Sequence, residues 1–337
     1  MPATDARGLS VSGADTGATA AVDYFVSELL GNGAEPTAVL EAAETHPRCP
    51  LLQAYAASLY VFAQSPSGAA PGLRWLERAR SQADHASDHE RAFMSAVEAG
   101  LRGDLEAAID GHEAIVKQWP RETVSAKLAE FHLFETGDCR RQRRIMQAFA
   151  EANPDDSDVL AVHAFSHELN ADADESERVA MKALEIDPDT PWAEHCLAHV
   201  YARRGEIERG IEELATWAPR WESKSQYIRS HNNFHLASLH LSRCEFEKPI
   251  ALLGERIWGF TPEAVVEHTD AILLLWYLEL AGADVPGGSW GEIAARIGEN
   301  SREYVFPFLS VMYLFALARA GAAAEAARLM AGFERHA

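Results

Sequence analysis

Long hydrophobic runs are missing from this sequence of 337 residues. The longest apolar run, residues 271–278, is far shorter than the roughly 20 residues that a helix needs to cross a bilayer. The first residues also lack the basic start and the apolar segment of a secretory signal. We therefore expect a cytoplasmic protein without membrane spans, in which residues 271–278 form a buried helix.

Positive charge is scarce as well. The chain has 30 Lys and Arg residues against 51 Asp and Glu residues, a formal net charge of −21. A surface this acidic repels phosphate backbones and anionic lipid headgroups. The charge balance therefore argues against nucleic acid and membrane surfaces as partners.

Cysteines are few, and the common catalytic motifs are missing. The four cysteines, Cys49, Cys139, Cys196 and Cys244, show neither CxxC pairing nor metal-ligand spacing, so we expect free, buried thiols in a reducing compartment. The sequence contains no HExxH, GxGxxG or GxxxxGK[ST] motif. These absences argue against a zinc protease of the HExxH type, a dinucleotide-binding fold and a P-loop.

A period of 34 residues organises the middle of the chain. Pro120, Pro154 and Pro188 stand 34 residues apart, and each closes a helical stretch. About 17 residues before each proline, a small residue is followed by an acid, at Gly103-Asp104, Gly137-Asp138 and Ala171-Asp172, and such a pair recurs one period later at Gly205-Glu206. The small residue permits a tight turn between two helices, and the acid caps the next helix. Two antiparallel helices closed by proline form the tetratricopeptide repeat (TPR).

The same helical pattern continues on both sides of this region. Helices are predicted near residues 22–30, 35–46, 51–64, 71–85, 88–101, 231–243, 246–257, 263–281, 290–298, 303–320 and 322–335, with a long connector at 217–230. Residues 1–20 have almost no core-forming side chains, and we interpret them as a disordered tail. The prediction is an all-α, TPR-like α-solenoid, a right-handed superhelix of antiparallel helix pairs, in a single domain from residue 21 to 337.

Histidines recur at the spacing that puts side chains on one face of a helix. Among 14 histidines, four pairs stand four residues apart: His85/His89, His163/His167, His195/His199 and His231/His235. In the repeat frame, His195 and His199 fall on positions that line the inner groove, and His231 and His235 follow in the next repeat. His163 and His167 fall where side chains pack against the second helix, so we expect them in the repeat core.

Candidate ligand-binding residues surround these histidines in the repeat frame. They are Trp192, Phe165, Phe131, Glu168 and Asn232. An aromatic lining with a few convergent polar groups is typical of a small-molecule pocket. A clamp for acidic peptide termini requires several basic groove residues, and only Lys127 and Arg203 qualify.

Four segments resemble a known family. Residues 192–201 (WAEHCLAHVY) look like the AWxxHxxAHxxE segment of the tetratricopeptide repeat protein 38 family and its bacterial relatives, and residues 230–237 (SHNNFHLA) like its HNxWHxAL segment. Residues 270–280 (DAILLLWYLEL) are similar to its DxxSLLxRL helix, and residues 89–96 (HERAFMSA) to its RExxHxxA entry. The resemblance extends from about residue 22 to 321 and implies a helical fold with a His-rich groove, but no particular reaction.

The sequence also departs from that family. It has Ala129-Glu130-Phe131 where the family has an Ala-His-Asp run, and Met312 and Leu314 where the family usually has Asp and His. These departures indicate an altered or specialised site.

Two classes of function fit this pattern. In the first, the groove binds a small molecule and transforms it by acid–base chemistry, with His195, His199, His231 and His235 as acids and bases and Asp270 as the orienting carboxylate. Asn232 would then donate to a developing oxyanion. In a variant of this class, the same four histidines hold zinc or iron.

The second class is a non-catalytic interaction scaffold, the role of most TPR arrays. A scaffold spreads its contacts over many repeats, whereas a pocket concentrates unusual residues in two or three. The concentration of histidines favours a pocket, and the ligand is then a small molecule or a peptide. Helical solenoid faces also self-associate, which makes a homo-oligomer a further expectation.

Overall fold

The computed structural model describes residues 3–62, 66–82, 84–261, 264–297 and 307–336, and these residues are mostly helical. The helices are α1 (Thr16–Leu30), α2 (Ala38–Thr45), α3 (Pro50–Phe62), α4 (Pro66–Arg80), α5 (Asp88–Leu101), α6 (Leu105–Gln118), α7 (Thr123–Thr136), α8 (Cys139–Ala152), α9 (Ser157–Leu169), α10 (Ala173–Ile186), α11 (Pro191–Arg204), α12 (Ile207–Trp221), α13 (Gln226–Ser242), α14 (Glu247–Leu252), α15 (Val265–Leu280), α16 (Ser289–Ile297), α17 (Pro307–Arg319) and α18 (Ala323–His336). The prediction of an all-α, TPR-like α-solenoid is confirmed.

Helix starts repeat at the interval predicted from the prolines. First helices begin at Thr123, Ser157 and Pro191, and second helices begin at Cys139, Ala173 and Ile207. Each series advances by 34 residues, so α7 to α12 form three successive helical hairpins. The 34-residue period is therefore structural.

The turns inside the hairpins use the left-handed backbone region. Gly103, Gly137 and Gly205 have φ angles of 79°, 76° and 71°, and Ala171 takes the same place with φ 61°. Glycine adopts this region without the steric cost that a Cβ atom brings. Ala171 is therefore the strained member of the series.

The acids that follow these turns do not all act as caps. Asp104 and Asp138 accept hydrogen bonds from Ala107 N and Arg141 N, as predicted. The prediction of a side-chain cap is wrong for Asp172 and Glu206. The Asp172 carboxylate turns instead to Arg143, whose Nη2 lies 2.9 Å from Oδ2.

The predicted disordered tail is corrected by the structure. Within residues 3–20, β1 (Ala3–Thr4) pairs antiparallel with β2 (Ser10–Val11), and α1 already begins at Thr16. Carboxylates of later helices hold this hairpin, since Asp23 accepts from Ala6 N and Glu90 accepts from Ser12 N, each at 2.8 Å. These hydrogen bonds and the burial of Val11 order a segment that has few apolar side chains.

The long connector predicted at residues 217–230 is also wrong. Helix α12 continues to Trp221, and α13 begins at Gln226, so the connection has four residues. Pro219 removes one hydrogen bond from the last turn of α12. Burial of Trp221, which is 1% exposed, favours continuation of the helix despite that loss.

The described chain divides into two compact units, Met1–Cys196 and Leu197–Ala337. The division falls inside α11, which continues from Pro191 to Arg204 without a break. A single domain from residue 21 to 337 stays a prediction.

The core of the second unit is built around α15. Leu274, Leu275 and Leu278 are fully buried there among side chains of α13, α16 and α17. Residues 271–278 are thus part of a buried helix, as predicted. No helix in the described ranges combines the length and apolarity needed to cross a membrane.

All four cysteines are free thiols, as predicted. Cys49 and Cys196 are buried and Cys139 is partly buried, whereas Cys244 is exposed. The expectation of burial is therefore wrong for Cys244, which lies in the left-handed turn after α13 with φ 58°.

Candidate metal centre

Four histidines meet at one place in the structure. Each of His195, His199, His231 and His235 offers a ring nitrogen, and these four atoms lie within 4.8 Å of one another. Helices α11 and α13 each contribute two rings one helical turn apart, because residues i and i+4 share a helix face. This is the sole group of three or more potential metal-binding side chains found among the described residues.

Three of these rings pack closely in the second unit. The ring centroids of His199 and His235 are 4.5 Å apart, and those of His231 and His235 are 4.6 Å apart. The Nε2 atoms of His231 and His235 approach to 3.2 Å. The rings thus turn their nitrogens toward one another.

The orientation of His231 is fixed by a buried carboxylate. Its Nδ1 lies 2.9 Å from Oδ1 of Asp270, which is 1% exposed. An ionised carboxylate only accepts hydrogen bonds, so Nδ1 carries the proton and Nε2 presents its lone pair. Nε2 of His235 is then the donor in the 3.2 Å contact between the two rings.

Asp270 is itself held on its other oxygen. Ser230 Oγ lies 2.9 Å from Oδ2 of Asp270 and 3.1 Å from the carbonyl oxygen of Ile257. Ile257 ends a π-helical turn (Leu253–Ile257) that follows α14. The π turn and α13 together fix the carboxylate that orients His231.

One turn before Asp270, Glu267 anchors the loop that follows the π turn. Its carboxylate accepts backbone N–H groups of Gly259, Phe260 and Thr261 at 2.6–3.2 Å. No sequence pattern predicted a role for Ser230 or Glu267. A serine directly before His231 was the available signal, whereas nothing in the sequence pairs Glu267 with residues 259–261.

His235 is the ring with the clearest electrostatic perturbation. Burial lowers the pKa of His235 well below its ordinary value, and the neighbouring His199 and His231 lower it further. Charge on this imidazole would be poorly solvated and close to two other imidazole rings. His235 is therefore neutral at pH 7 and can offer a lone pair.

His195 is surrounded by aromatic rings of the first unit. It is 1% exposed and stacks on Trp192 with centroids 4.4 Å apart, and the Phe165 ring lies 5.3 Å away. Lys127 Nζ lies 4.6 Å from the Trp192 ring centroid. The structure thus brings together three of the predicted residues, His195, Trp192 and Phe165.

Cys196 takes no part in this donor set. Its Sγ points to the carbonyl oxygen of Ala161 at 3.5 Å. Burial raises the pKa of the thiol well above its ordinary value, so the metal-binding thiolate is disfavoured.

The remaining predicted ligand-binding residues lie on α13, α9 and α7. Asn232 is 1% exposed on α13, and Glu168 is 2% exposed near the end of α9. Phe131 packs its ring against Phe62 and His132, at centroid distances of 5.0 Å and 5.8 Å. A role in ligand binding stays a prediction for all three.

The other histidine pairs differ from each other. His85 lies in the turn before α5, so His85 and His89 do not form a helical pair. His163 and His167 do share a face of α9, and their Nε2 atoms are 3.1 Å apart. His167 is buried, as a core position predicts, while His163 is partly exposed.

Two surface clefts lie away from the histidine cluster. One of about 560 Å³ lies between α5 and α6 and has Trp119 at one end, and the other of about 470 Å³ is lined by Trp276, Phe315 and Arg319. Neither includes a cluster histidine among its lining residues in the described chain. The chemistry of the donor atoms, rather than cleft size, therefore identifies the candidate site.

No family model matches the chain. Among solved structures, it is similar to a monomeric IFIT1 mutant with m7Gppp-AAAA, at 14% identity and TM-score 0.46, covering 92% of this chain and 73% of that one. It is also similar to Naa15/Naa10 bound to HypK-THB, at 14% identity and TM-score 0.32, covering 90% of this chain but only 47% of that one. A third is the P58(IPK) TPR domain, at 12% identity and TM-score 0.27, covering 83% and 82% of the two chains.

Proposed function

We propose that this protein is a TPR-like binding protein that holds a divalent transition metal of the zinc class on His195, His199, His231 and His235. The TPR-like fold supports a binding role in general. The single observation that carries the proposal is the approach of four imidazole nitrogens to within 4.8 Å of one another. Imidazole is the commonest metal-binding side chain in proteins.

The donor set favours particular metals. Neutral imidazole suits zinc, copper, iron and nickel, whereas magnesium and calcium require oxygen ligands. The cluster contains four imidazoles and neither a thiolate nor a carboxylate. Zinc and iron, the metals expected from the sequence, both fit.

The spacing of the nitrogens fits tetrahedral zinc in part. Zn–N bonds of 2.0–2.1 Å put neighbouring ligand nitrogens about 3.3 Å apart. The 3.2 Å between Nε2 of His231 and Nε2 of His235 matches this value. The widest spacing, at most 4.8 Å, requires one ring to rotate inward on binding.

Asp270 would not bind the metal itself but would hold the metal-binding His231 by a hydrogen bond. In metal sites a histidine commonly donates its second N–H to a carboxylate, which fixes the ring and raises its basicity. His231 makes this contact with Asp270, which would orient the ring with Nε2 available to a cation. For His235, binding through Nε2 requires its proton to move to Nδ1.

The bound metal would supply Lewis-acid polarisation to a small molecule or peptide terminus in the groove. Three protein ligands leave one position for such a molecule, whereas four close the site. His195, stacked on Trp192, is the ligand that distinguishes the two cases. With His195 bound to the metal the site is closed, and with His195 held on Trp192 it is open.

A second candidate function is acid–base chemistry without a metal. The His231–Asp270 pair favours it, since a carboxylate-oriented imidazole is a common general base. The neutral His235 beside it could pass or receive a proton. A non-catalytic scaffold remains the alternative if neither metal nor turnover is found.

The resemblance to tetratricopeptide repeat protein 38 supports a site at this position. Its two most specific segments, residues 192–201 and 230–237, contain all four histidines of the cluster. We propose a family relationship on this basis.

Metal analysis of protein purified without an affinity tag tests the proposal. We expect about one zinc or iron per chain, lost in His199→Ala and in His231→Ala. His240→Ala is the matched control, because His240 lies on the same α13 but pairs with Glu245. Metal-free protein that takes up no metal on addition of Zn²⁺ or Fe²⁺ would refute the proposal.

A further inference from the structure

A second histidine pair lies in the first unit and shares no residue with the cluster above. His163 and His167 on α9 have Nε2 atoms 3.1 Å apart and ring centroids 4.6 Å apart. The corresponding distances for His231 and His235 are 3.2 Å and 4.6 Å. The two pairs therefore have nearly the same nitrogen geometry.

This geometry lies within the range that one cation can bridge. Two nitrogens bound to zinc at 2.0–2.1 Å stand about 2.9–3.4 Å apart for bond angles between square and tetrahedral. The separation of 3.1 Å falls inside that range. A direct hydrogen bond between neutral rings fits the same distance, so the surroundings of the pair decide between the two interpretations.

The surroundings include the carboxylate of Asp172, which does not cap the helix that follows it. Asp172 stands at the N-cap of α10 but does not cap it, unlike Asp104 and Asp138 in the preceding repeats. Its Oδ2 instead lies 3.5 Å from Nδ1 of His167. A small closing motion would make it the outer partner of this ring, the position that Asp270 takes beside His231.

Nearby charges of both signs act on the pair: Arg143 and Arg178 oppose positive charge there, whereas Asp172 and Glu175 favour it. Arg143 pairs with Asp172, and Arg178 forms two hydrogen bonds with Glu175. These four side chains sum to zero charge. Glu175 is also close enough to interact electrostatically with both rings, which favours a bound cation.

We propose that His163 and His167 form a second, weaker site for a divalent late transition metal such as Zn²⁺, Ni²⁺ or Cu²⁺. Two imidazoles bind the ion through Nε2, Asp172 orients His167, and water fills the remaining positions. Partial exposure of His163 gives the ion access from solvent. Two protein ligands instead of four make this the weaker of the two sites.

Calorimetric titration with Zn²⁺ of the 337-residue chain, stripped of metal by a chelator, tests this proposal. The wild type is expected to show a tight class and a weak class of binding. His163→Ala should weaken the weak class by roughly tenfold or more, the scale seen even for loss of an outer partner, and leave the tight class unchanged. His199→Ala should do the reverse, and His240→Ala should change neither.

The outcomes separate this inference from the proposed function. If the titration shows no tight class but does show a weak class that depends on His163, only the four-histidine site is refuted. The site at His163 and His167 is then upheld. The proposed site at His163 and His167 is refuted if the wild type shows no weak class of binding. It is also refuted if His163→Ala leaves the weak class unchanged. Circular dichroism verifies folding of each variant, and His167→Gln provides a milder substitution if His163→Ala does not fold.

Discussion

Nδ1 of His231 lies 2.9 Å from Oδ1 of Asp270, a carboxylate that is almost fully buried between α13 and the π turn. The contact sets which nitrogen of His231 carries its proton. It therefore directs the lone pair of Nε2 toward His235. A buried pair of this kind couples the packing of α15 to the chemistry of the cluster.

Asp270→Asn should weaken zinc binding by about 10- to 100-fold, the usual effect of removing an outer carboxylate. Asparagine keeps the size of the side chain but loses its charge, so folding should change little. Competition against a chelator measures the affinity. Asp155→Asn, on an exposed surface of the first unit, is the control.

Ser230→Ala tests the other oxygen of the same carboxylate. We expect a smaller loss of affinity in the same direction, while Ser238→Ala, whose hydroxyl donates to the carbonyl of Phe234, should have none. Equal affinity in Asp270→Asn, Ser230→Ala and the wild type would show that the carboxylate does not serve the site.

Unfolding in urea at different pH values should reveal Glu122 in the first unit. It is 1% exposed and accepts a hydrogen bond from Tyr55, and burial raises its pKa from 4.5 to about 7. Between these values the native state binds a proton that the unfolded state releases. The stability that the native state gains from protonated Glu122 is therefore fully present below pH 4.5 and is lost as pH rises through about 7.

Glu122→Gln removes this titration. The free energy of unfolding of the variant, relative to the wild type, should rise from pH 4.5 to pH 8 by up to roughly 3 kcal/mol. Glutamine keeps an oxygen that can accept from Tyr55 or from Ser125 N. Parallel pH profiles for the two proteins would show that Glu122 is not protonated in the native state.

Ala171→Gly should stabilise the protein. Ala171 has φ 61°, in a turn where the equivalent residues of neighbouring hairpins are glycines. Relief of the left-handed strain, less the added entropy of the unfolded chain, should give about 0.5–1 kcal/mol. Gly205→Ala should destabilise by a similar amount, and thermal unfolding compares both. A less stable Ala171→Gly would contradict the assigned strain.

Val11→Ala should destabilise the fold by about 1–3 kcal/mol, because Val11 is 1% exposed in the terminal hairpin. Thr4→Ala, at an exposed position of the paired strand, should stay within about 0.5 kcal/mol. Chemical denaturation measures both. Equal stability of Val11→Ala and the wild type would restore the interpretation of this segment as a tail.

The repeat region was predictable because its signals are local. The prolines and the small turn residues mark helix ends directly, and the observed helix starts at Thr123, Ser157 and Pro191 follow the same interval. The i, i+4 spacing also put two histidines on one face of each helix, since that follows from helix geometry alone. Hydrogen bonds within one or two turns determine these features.

The parts that escaped prediction depend on contacts remote in sequence. The terminal hairpin is held by Glu90, which lies 78 residues beyond Ser12. Ser230 reaches Asp270 across 40 residues and Ile257 across 27, through a π turn that no sequence pattern marked. Asp172 has the residue type and position of a cap, and only the neighbouring Arg143 and His167 show why it is not one.

X-ray absorption at the zinc edge, on protein loaded with one equivalent of Zn²⁺, tests the central claim most directly. We predict a first shell of three or four nitrogens at 2.0–2.1 Å, with the multiple scattering of imidazole rings and no sulfur. His199→Ala and His231→Ala should lose that signal. A shell that contains sulfur at about 2.3 Å, or one made of oxygen atoms alone, would contradict the four-histidine site.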